Sequence, residues 1–256
     1  MKKWIMEATL RILTFNIDVY SPKQDKRTND LLRIVEKHSP DILVLQEFSD
    51  VVYENIVREI RNLEYSRYLD NDRFKSTTSE VLFSKHSFEE RKFIPFTDSR
   101  QGRGLTCARI RIGGIPITIL TSQFEKTDKS FIKERQFQAM VAELENSTHP
   151  TIFAGDTQIA DYRMKLIKIP GNIVDTWYEN ADETSGYTID YQSNPLSSPP
   201  YRDRPDKVYF SPGGCDFSVN NHTLITHPIV SRRFGVLTEL KFSCELGKYS
   251  QEEEEE

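Results

Sequence analysis

Apolar residues change their spacing several times along this chain, and each change predicts a different element. Leu10 to Asp18 alternates imperfectly and is rich in β-formers, which predicts a first strand ending at Asn16-Ile17-Asp18. Leu31, Leu32, Ile34 and Val35 then recur at helical spacing, with Thr28 or Asn29 placed to cap the helix and Ser39-Pro40 to end it. Ile42 to Leu45 is a solid apolar run, the pattern of a strand covered on both faces, and it stops on Gln46-Glu47. A second helix is expected from Asp50 to Asn62. Strands follow at 65–69, 81–84, 88–94, 105–112 and 115–121, the last two joined by Gly113-Gly114, a two-residue hairpin signal. Phe131, Phe137, Met140, Val141 and Leu144 mark a third helix through Asn146. Thr151 to Ala154 is a short buried strand stopped by Gly155-Asp156. A loop rich in Pro and Ser spans 190–204, and further strands are expected at 207–210, 217–226 and 235–242.

Strands and helices in this order predict a layered α/β architecture. With no internal repeat and no linker, the expectation is one domain over 10–243, preceded by an extension at 1–9 and followed by an acidic tail at 244–256.

Composition narrows the function classes. The 256 residues carry 34 Lys+Arg against 39 Asp+Glu, and the run Glu252 to Glu256 accounts for the whole excess of acid. A balanced body argues against holding nucleic acid through a general polycationic surface, while leaving room for a local phosphate site. No apolar stretch approaches the roughly 20 residues that span a bilayer, and Met1 to Leu10 lacks the apolar centre of a secretion signal. From this we expect no membrane partner, a monomer, and an intracellular location, nuclear or cytoplasmic. Cys107, Cys215 and Cys244 are odd in number and far apart, which predicts three reduced thiols.

Candidate chemistry collects where apolar strands stop. Asn16, Gln46-Glu47, Ser122-Gln123, Asp156-Thr157-Gln158 and Asp206 each follow an apolar run. In a layered α/β protein such strand ends converge on one crevice, where polar groups are costly unless paired or functional. Taken alone, each has an ordinary explanation as a turn cap or a solvated end.

Taken together they form a pattern. Thr14-Phe15-Asn16, Leu45-Gln46-Glu47, Thr121-Ser122-Gln123, Gly155-Asp156-Thr157-Gln158, Asp206-Lys207-Val208 and Ser231-Arg232-Arg233-Phe234-Gly235 resemble, in order, the motifs of the endonuclease/exonuclease/phosphatase superfamily. Phe15 to Asp18, Ser39-Pro40-Asp41, Phe153 to Thr157, Asn172 to Asp175 and Tyr187-Thr188 are similar to its 5′-tyrosyl-DNA phosphodiesterase (type 2) branch. The resemblance implies a four-layer α/β sandwich, two packed mixed sheets flanked by helices, and phosphodiester hydrolysis with one bound Mg²⁺ or Mn²⁺. It also implies roles. Glu47 would ligate the metal, Asn16 would orient phosphate or a metal-bound water, and Asp156 would hold the attacking water. The residue two beyond, here Gln158, would polarise phosphate oxygens.

The departures fall on the chemistry. Asn16, Glu47, Asp156 and Asp206 keep the pattern, but Gln123 replaces a histidine and Gln158 an asparagine. Arg232-Arg233 stands where the resemblance implies Asp-His. Arginine stays protonated, so it cannot take the part of an acid or base near neutral pH. The exchange also replaces a formal −1 by +2, which opposes a nearby divalent cation.

The reading is therefore a catalytically degenerate relative of 5′-tyrosyl-DNA phosphodiesterase. It would act by binding phosphate, the 5′ end of a nucleic acid, or a protein partner, with Arg232 or Arg233 pairing Glu47 or Asp156. The rival is an active phosphodiesterase with a divergent site, and only it requires Mg²⁺ or Mn²⁺. A third reading places the function on outer loops and the acidic tail. Arg100, Arg103 and Trp177 are candidates for lining the groove around a nucleic-acid end.

Overall fold

The structure, a computed structural model, describes residues 5–19, 21–68, 79–180 and 186–245. Strand β1 (Ile5–Asn16) leads into α1 (Gln24–His38), β2 (Ile42–Phe48), α2 (Asp50–Asn62), β3 (Ser66–Tyr68) and β4 (Ser79–Ser84). Then come β5 (Glu90–Pro95), β6 (Gly104–Ile112), β7 (Ile115–Thr121), α3 (Ser130–Glu145) and β8 (Thr151–Asp156). Short elements follow: α4 (Asp161–Met164), β9 (Val174–Asp175), α5 (Thr176–Glu179), and the paired β10 (Ile189–Asp190) and β11 (Arg202–Asp203). Strands β12 (Asp206–Ser211), β13 (Asp216–Ile225) and β14 (Gly235–Glu245) complete the chain.

Two six-stranded sheets result, one ordered β13-β14-β1-β2-β4-β3 and the other β5-β6-β7-β8-β12-β9. Both are mixed, because β1 runs parallel to β2, and β7 to β8, while their other neighbours are antiparallel. Alternation along each strand builds the layers. Ile12, Ile42, Val44, Ile117, Ile152 and Val208 fill one apolar core contributed by both sheets. Leu13, Leu43 and Leu45 face the other way and meet Leu31, Ile34 and Val35 of α1 and Ile56 and Ile60 of α2. Leu120, Phe153 and Tyr209 likewise meet Phe137, Met140 and Leu144 of α3. Helix, sheet, sheet and helix make the four layers expected from the motifs. No helix among the described residues is long and apolar enough to cross a membrane.

Three expectations are corrected. Strand β1 starts at Ile5 instead of Leu10, pairing with β14 from Ile5↔Glu245 to Thr14↔Val236. Its first half is alternately exposed and buried, so polar Glu7, Thr9 and Arg11 hide it from an apolar count. Helix α1 starts at Gln24, ahead of Thr28, because the chain turns at Lys23 in the left-handed region, φ 62°. Arg27, now inside the helix, donates to the carbonyls of Ile17, Asp18, Ser21 and Val230. The third concerns the thiols: Cys215 and Cys244 form a disulfide, and Cys107 alone is free. The β13–β14 register pairs Asp216 with Ser243 and brings the two cysteine Cα atoms to 4.7 Å, close enough to bridge.

Candidate functional site

Strand parity decides which polar side chains enter the gap between the sheets. Ile152 and Ala154 of β8 face the shared core, so Asp156, two positions on, faces it too. The same count carries Ile12 to Asn16 on β1, Val208 back to Asp206 on β12, and Ile117 and Ile119 to Gln123 just beyond β7. Glu47 breaks the count. Ile42 and Val44 of β2 are inward, so position 47 belongs to the outer face of a regular strand. A register shift between Leu45 and Phe48 and a left-handed Glu47, φ 55°, instead put its carboxylate within reach of Asn16 and Gln123. Gln158 is also left-handed, φ 52°. Such conformations in non-glycine residues cost on the order of 1–3 kcal/mol, and both fall at this crevice. Gly155 is small for a local reason: a Cβ there would lie 2.4 Å from the Ser122 carbonyl oxygen.

The side chains close into one network. Asn16 Nδ2 donates to Glu47 Oε1 at 3.2 Å and to Asp156 Oδ2 at 3.0 Å. Gln123 Nε2 donates to the same two oxygens at 2.8 and 3.4 Å. Gln158 gives Asp156 both its backbone N–H, at 3.0 Å, and its side-chain amide. Arg233 completes the set. Its Nη2 lies 3.0 Å from Asp156 Oδ2, and its Nη1 lies 3.1 Å from Asp206 Oδ2. Thr188 Oγ1 also donates to Asp206 Oδ2, whereas the buried Asp206 Oδ1 has no partner among the described residues. Among those residues, no three His, Cys, Asp or Glu side chains are arranged to hold a metal ion.

The electrostatics follow from two buried aspartates sharing one guanidinium. Burial pushes Asp206 up to about 6, with Asp156 adding to the rise and Arg233 opposing it. Burial acts against the Arg233 charge, but Asp156, Asp206 and Glu47 outweigh it and raise its pKa above the ordinary arginine value. Arg232 points elsewhere. Its Nε and Nη2 lie 2.6 and 3.0 Å from the Asp18 carboxylate. Burial raises Asp18, and hydrogen bonds from Arg232 and Ser21 overcome that and pull it below the usual carboxylate range. The arginine loop is pinned by Ser231 Oγ donating to the Asn16 carbonyl, Asn194 to the Ser231 carbonyl, and Ser197 to the Arg232 carbonyl.

The crevice opens into a cavity of about 440 Å³. Asn16, Glu47, Gln158, Arg232 and Arg233 line it together with Lys126, Lys133, Tyr162, Arg163 and Tyr201, none of which the motifs single out. Neither lysine holds an ion pair among the described residues, and burial and Arg163 draw the Lys133 pKa down. The sequence offers one signal for Lys126, its position three residues beyond Gln123 at the end of β7. Lys133 and Tyr162 are visible only once α3 and α4 are placed.

Asn16, Glu47, Gln123, Asp156, Gln158, Asp206 and Arg233 thus come together. Arg103 lies one residue removed, its Nη1 3.2 Å from Glu80 Oε1, the oxygen that accepts the Gln123 backbone N–H. Arg100 is exposed and gives its backbone N–H to Glu125. Trp177 is buried against His222, with Arg204 5.9 Å from its ring, and does not line the cavity.

The profile of the Endonuclease/Exonuclease/phosphatase family matches residues 13–215. Tyrosyl-DNA phosphodiesterase 2 of Mus musculus is 26% identical over 211 residues, 79% of this chain and 56% of that protein. The Homo sapiens protein of the same name is 26% identical over 190 residues, 72% of this chain and 52% of its own length. The chain spans about half the length of these relatives. Among solved structures, D. rerio TDP2 complexed with single strand DNA product superposes with a TM-score of 0.81 at 20% identity, covering 91% of this chain and 99% of that one. Truncated Caenorhabditis elegans TDP2 gives 0.76 at 20% identity over 92% and 98%. With its motifs in order and the family profile spanning most of its length, this chain belongs to the Endonuclease/Exonuclease/phosphatase family.

Proposed function

We propose that the chain is a catalytically silent member of its family whose crevice binds the phosphorylated end of a nucleic acid. The observation that carries the reading is the Arg233 bridge between Asp156 and Asp206. A carboxylate offers about four lone-pair sites. Asp156 Oδ2 faces donors from Asn16, Gln123, Gln158 and Arg233, and Oδ1 faces the Gln158 N–H and Arg233 Nη1. No lone pair remains to orient a water or accept its proton, the part implied for Asp156 by the resemblance.

The same saturation bears on Mg²⁺ or Mn²⁺. A hard divalent cation asks for six or more oxygens, and here the two aspartates already neutralise a guanidinium. Two like unit charges about 4 Å apart repel by about 4 kcal/mol at an effective dielectric of 20, and a divalent ion doubles that. The residues present do not fit the metal.

They do fit an anion. Arg232 balances Asp18 and Arg233 offsets one of the two aspartate charges, while the ammonium groups of Lys126 and Lys133, without an ion pair among the described residues, bring two further positive charges to the cavity mouth. Tyr162 and Tyr201 are 66% and 57% exposed beside them, apolar faces on which a terminal base stacks. The nucleic-acid class is supported by the name of the curated relatives, tyrosyl-DNA phosphodiesterase 2.

One observation favours the active alternative: Asn16, Glu47 and Asp156 do converge, within 3.2 Å through the Asn16 amide. The two readings part in a hydrolysis assay on 5′-phosphotyrosyl single-stranded DNA with Mg²⁺ or Mn²⁺. Silence is expected. Turnover abolished by Glu47→Gln overturns the proposal.

A further inference from the structure

The surface beside the cavity carries a charge that the rest of the chain does not. Between 126 and 135 four bases face two acids, and between 161 and 168 three bases face one, in a chain of formal charge −5. That one acid, Asp161, is already matched by Arg204 and Lys207. Helix α3 also sets its charges against its own dipole. Lys129 stands at the N-cap without a side-chain cap bond, Lys133 is the fourth residue, no acid occupies the first turn, and Glu143 and Glu145 fall at the far end. A helix macrodipole favours the opposite arrangement, so the lysines add to a positive end instead of offsetting it. The placement is unfavourable for the helix alone and favourable for an anion outside it.

Two exposed rings lie in the same field. Phe131 is 50% exposed and Tyr162 66%. Arg135, one turn on from Phe131, rests its guanidinium 5.6 Å from that ring's centre, and Arg163 lies 5.7 Å from the centre of Tyr162. Arg163 Nη1 is also 3.8 Å from Glu134 Oε1, which joins α4 to α3. Because Lys133 and Arg163 line the cavity, this surface is continuous with its mouth. Lys129, Arg135, Lys165 and Lys168 are exposed around the rings and lie outside the cavity. An exposed ring braced by a guanidinium offers a face to an unpaired base, and the cations around it meet the phosphates.

We infer that the α3–α4 surface carries the body of a single-stranded nucleic acid beyond its terminal phosphate, with Phe131 as a stacking platform and Lys129, Arg135, Lys165 and Lys168 as phosphate contacts. The inference rests on the phosphate-end reading and deepens it, from capture of an end to the length of strand held. Bases in a duplex are stacked on one another, so a partner that uses these rings is single-stranded.

Fluorescence anisotropy on the intact chain tests this, with an oligothymidylate dinucleotide and dodecanucleotide, both 5′-phosphorylated and labelled at the 3′ end. Wild type is expected to bind the longer strand about tenfold tighter or more, since each stacked base and each neutralised phosphate adds affinity. Arg135→Gln/Lys165→Gln/Lys168→Gln and, separately, Phe131→Ala are each expected to lose most of that gain and to leave the dinucleotide affinity unchanged. The four side chains are exposed, and circular dichroism checks that the variants fold. A polyglutamate peptide, which has charge but no bases, is expected to compete about tenfold more weakly than the strand. Equal affinity for the two lengths overturns the inference, as does a length gain that both variants retain. Polyglutamate competing as well as the strand also overturns it, by making this a protein-binding surface. These failures are separable from failure of the functional reading. Affinity that depends on the 5′ phosphate and not on length removes the strand surface and leaves the phosphate end. A length gain lost in the variants but equal with and without the 5′ phosphate removes the phosphate end and leaves the strand surface.

Discussion

Arg233 Nη2 stands 3.0 Å from Asp156 Oδ2, joining the arginine loop before β14 to the end of β8 across the gap between the sheets. Truncating that side chain leaves Asp156 and Asp206 buried without a partner charge. Breaking a buried pair from one side costs about 3–5 kcal/mol. Arg233→Ala should therefore lower the urea midpoint strongly at pH 7.5. Arg232→Ala, whose side chain is half exposed at 50%, should barely move it.

Asp206 gives the site a pH signature. Its folded pKa, about 6, lies above the ordinary aspartate value, so the folded protein binds the extra proton. Stability from this group is then fully present at acid pH and falls as pH rises from about 4 through 6. Asp206→Asn cannot titrate. Urea unfolding of the two proteins at pH 5 and pH 7.5 should show the wild type losing ground against Asp206→Asn at the higher pH. An unchanged difference contradicts the burial-driven rise of the Asp206 pKa.

The thiols make a counting prediction. Of the three cysteines, Cys215 and Cys244 are bonded, so denatured, unreduced protein should release one thiol to Ellman's reagent, and three after reduction. Burial pushes the Cys107 thiol up to about 12, so native protein at pH 8 should resist iodoacetamide at that position. The bridge closes a loop of 29 residues, a length for which a disulfide contributes about 3–4 kcal/mol. Cys244→Ser should lose that amount in oxidising buffer and nothing relative to wild type in reductant.

Phosphate binding at the cavity mouth should depend on salt. Each cation that neutralises a single-strand phosphate contributes about 0.7 to the slope of log affinity against log salt. Lys126→Gln/Lys133→Gln should weaken binding of a 5′-phosphorylated oligonucleotide about tenfold or more at low salt and flatten the slope by roughly 1. Equal slopes place the phosphate elsewhere.

The apolar runs foretold this crevice because parity is a local property. Once Ile152 and Ala154 are known to face a core, Asp156 must follow them, and the same holds for Asn16 and Gln123. What the sequence could not display is whatever depends on register or on a broken period. Glu47 reaches the site through a left-handed residue at a strand irregularity, where parity alone sends it outward. Cys215 and Cys244 meet only because β13 and β14 pair in one particular alignment. The two arginines are adjacent in sequence, and the motif pattern leaves open which of them pairs with Glu47 or Asp156. The chain between them turns so that Arg232 serves Asp18 and Arg233 serves the aspartate pair. Asp18 itself, left-handed at φ 46°, reads as nothing more than a strand end until that contact is seen.

The most direct test of the account compares hydrolysis of 5′-phosphotyrosyl single-stranded DNA, in Mg²⁺, by wild type and by the reversion Arg232→Asp/Arg233→His/Gln123→His/Gln158→Asn. Catalysis from a restored oxyanion and base set is worth several orders of magnitude over the uncatalysed rate. The account predicts a silent wild type and a reversion variant that cleaves the ester and loses activity with Glu47→Gln. Metal-dependent cleavage by the wild type, abolished by Glu47→Gln, would contradict it.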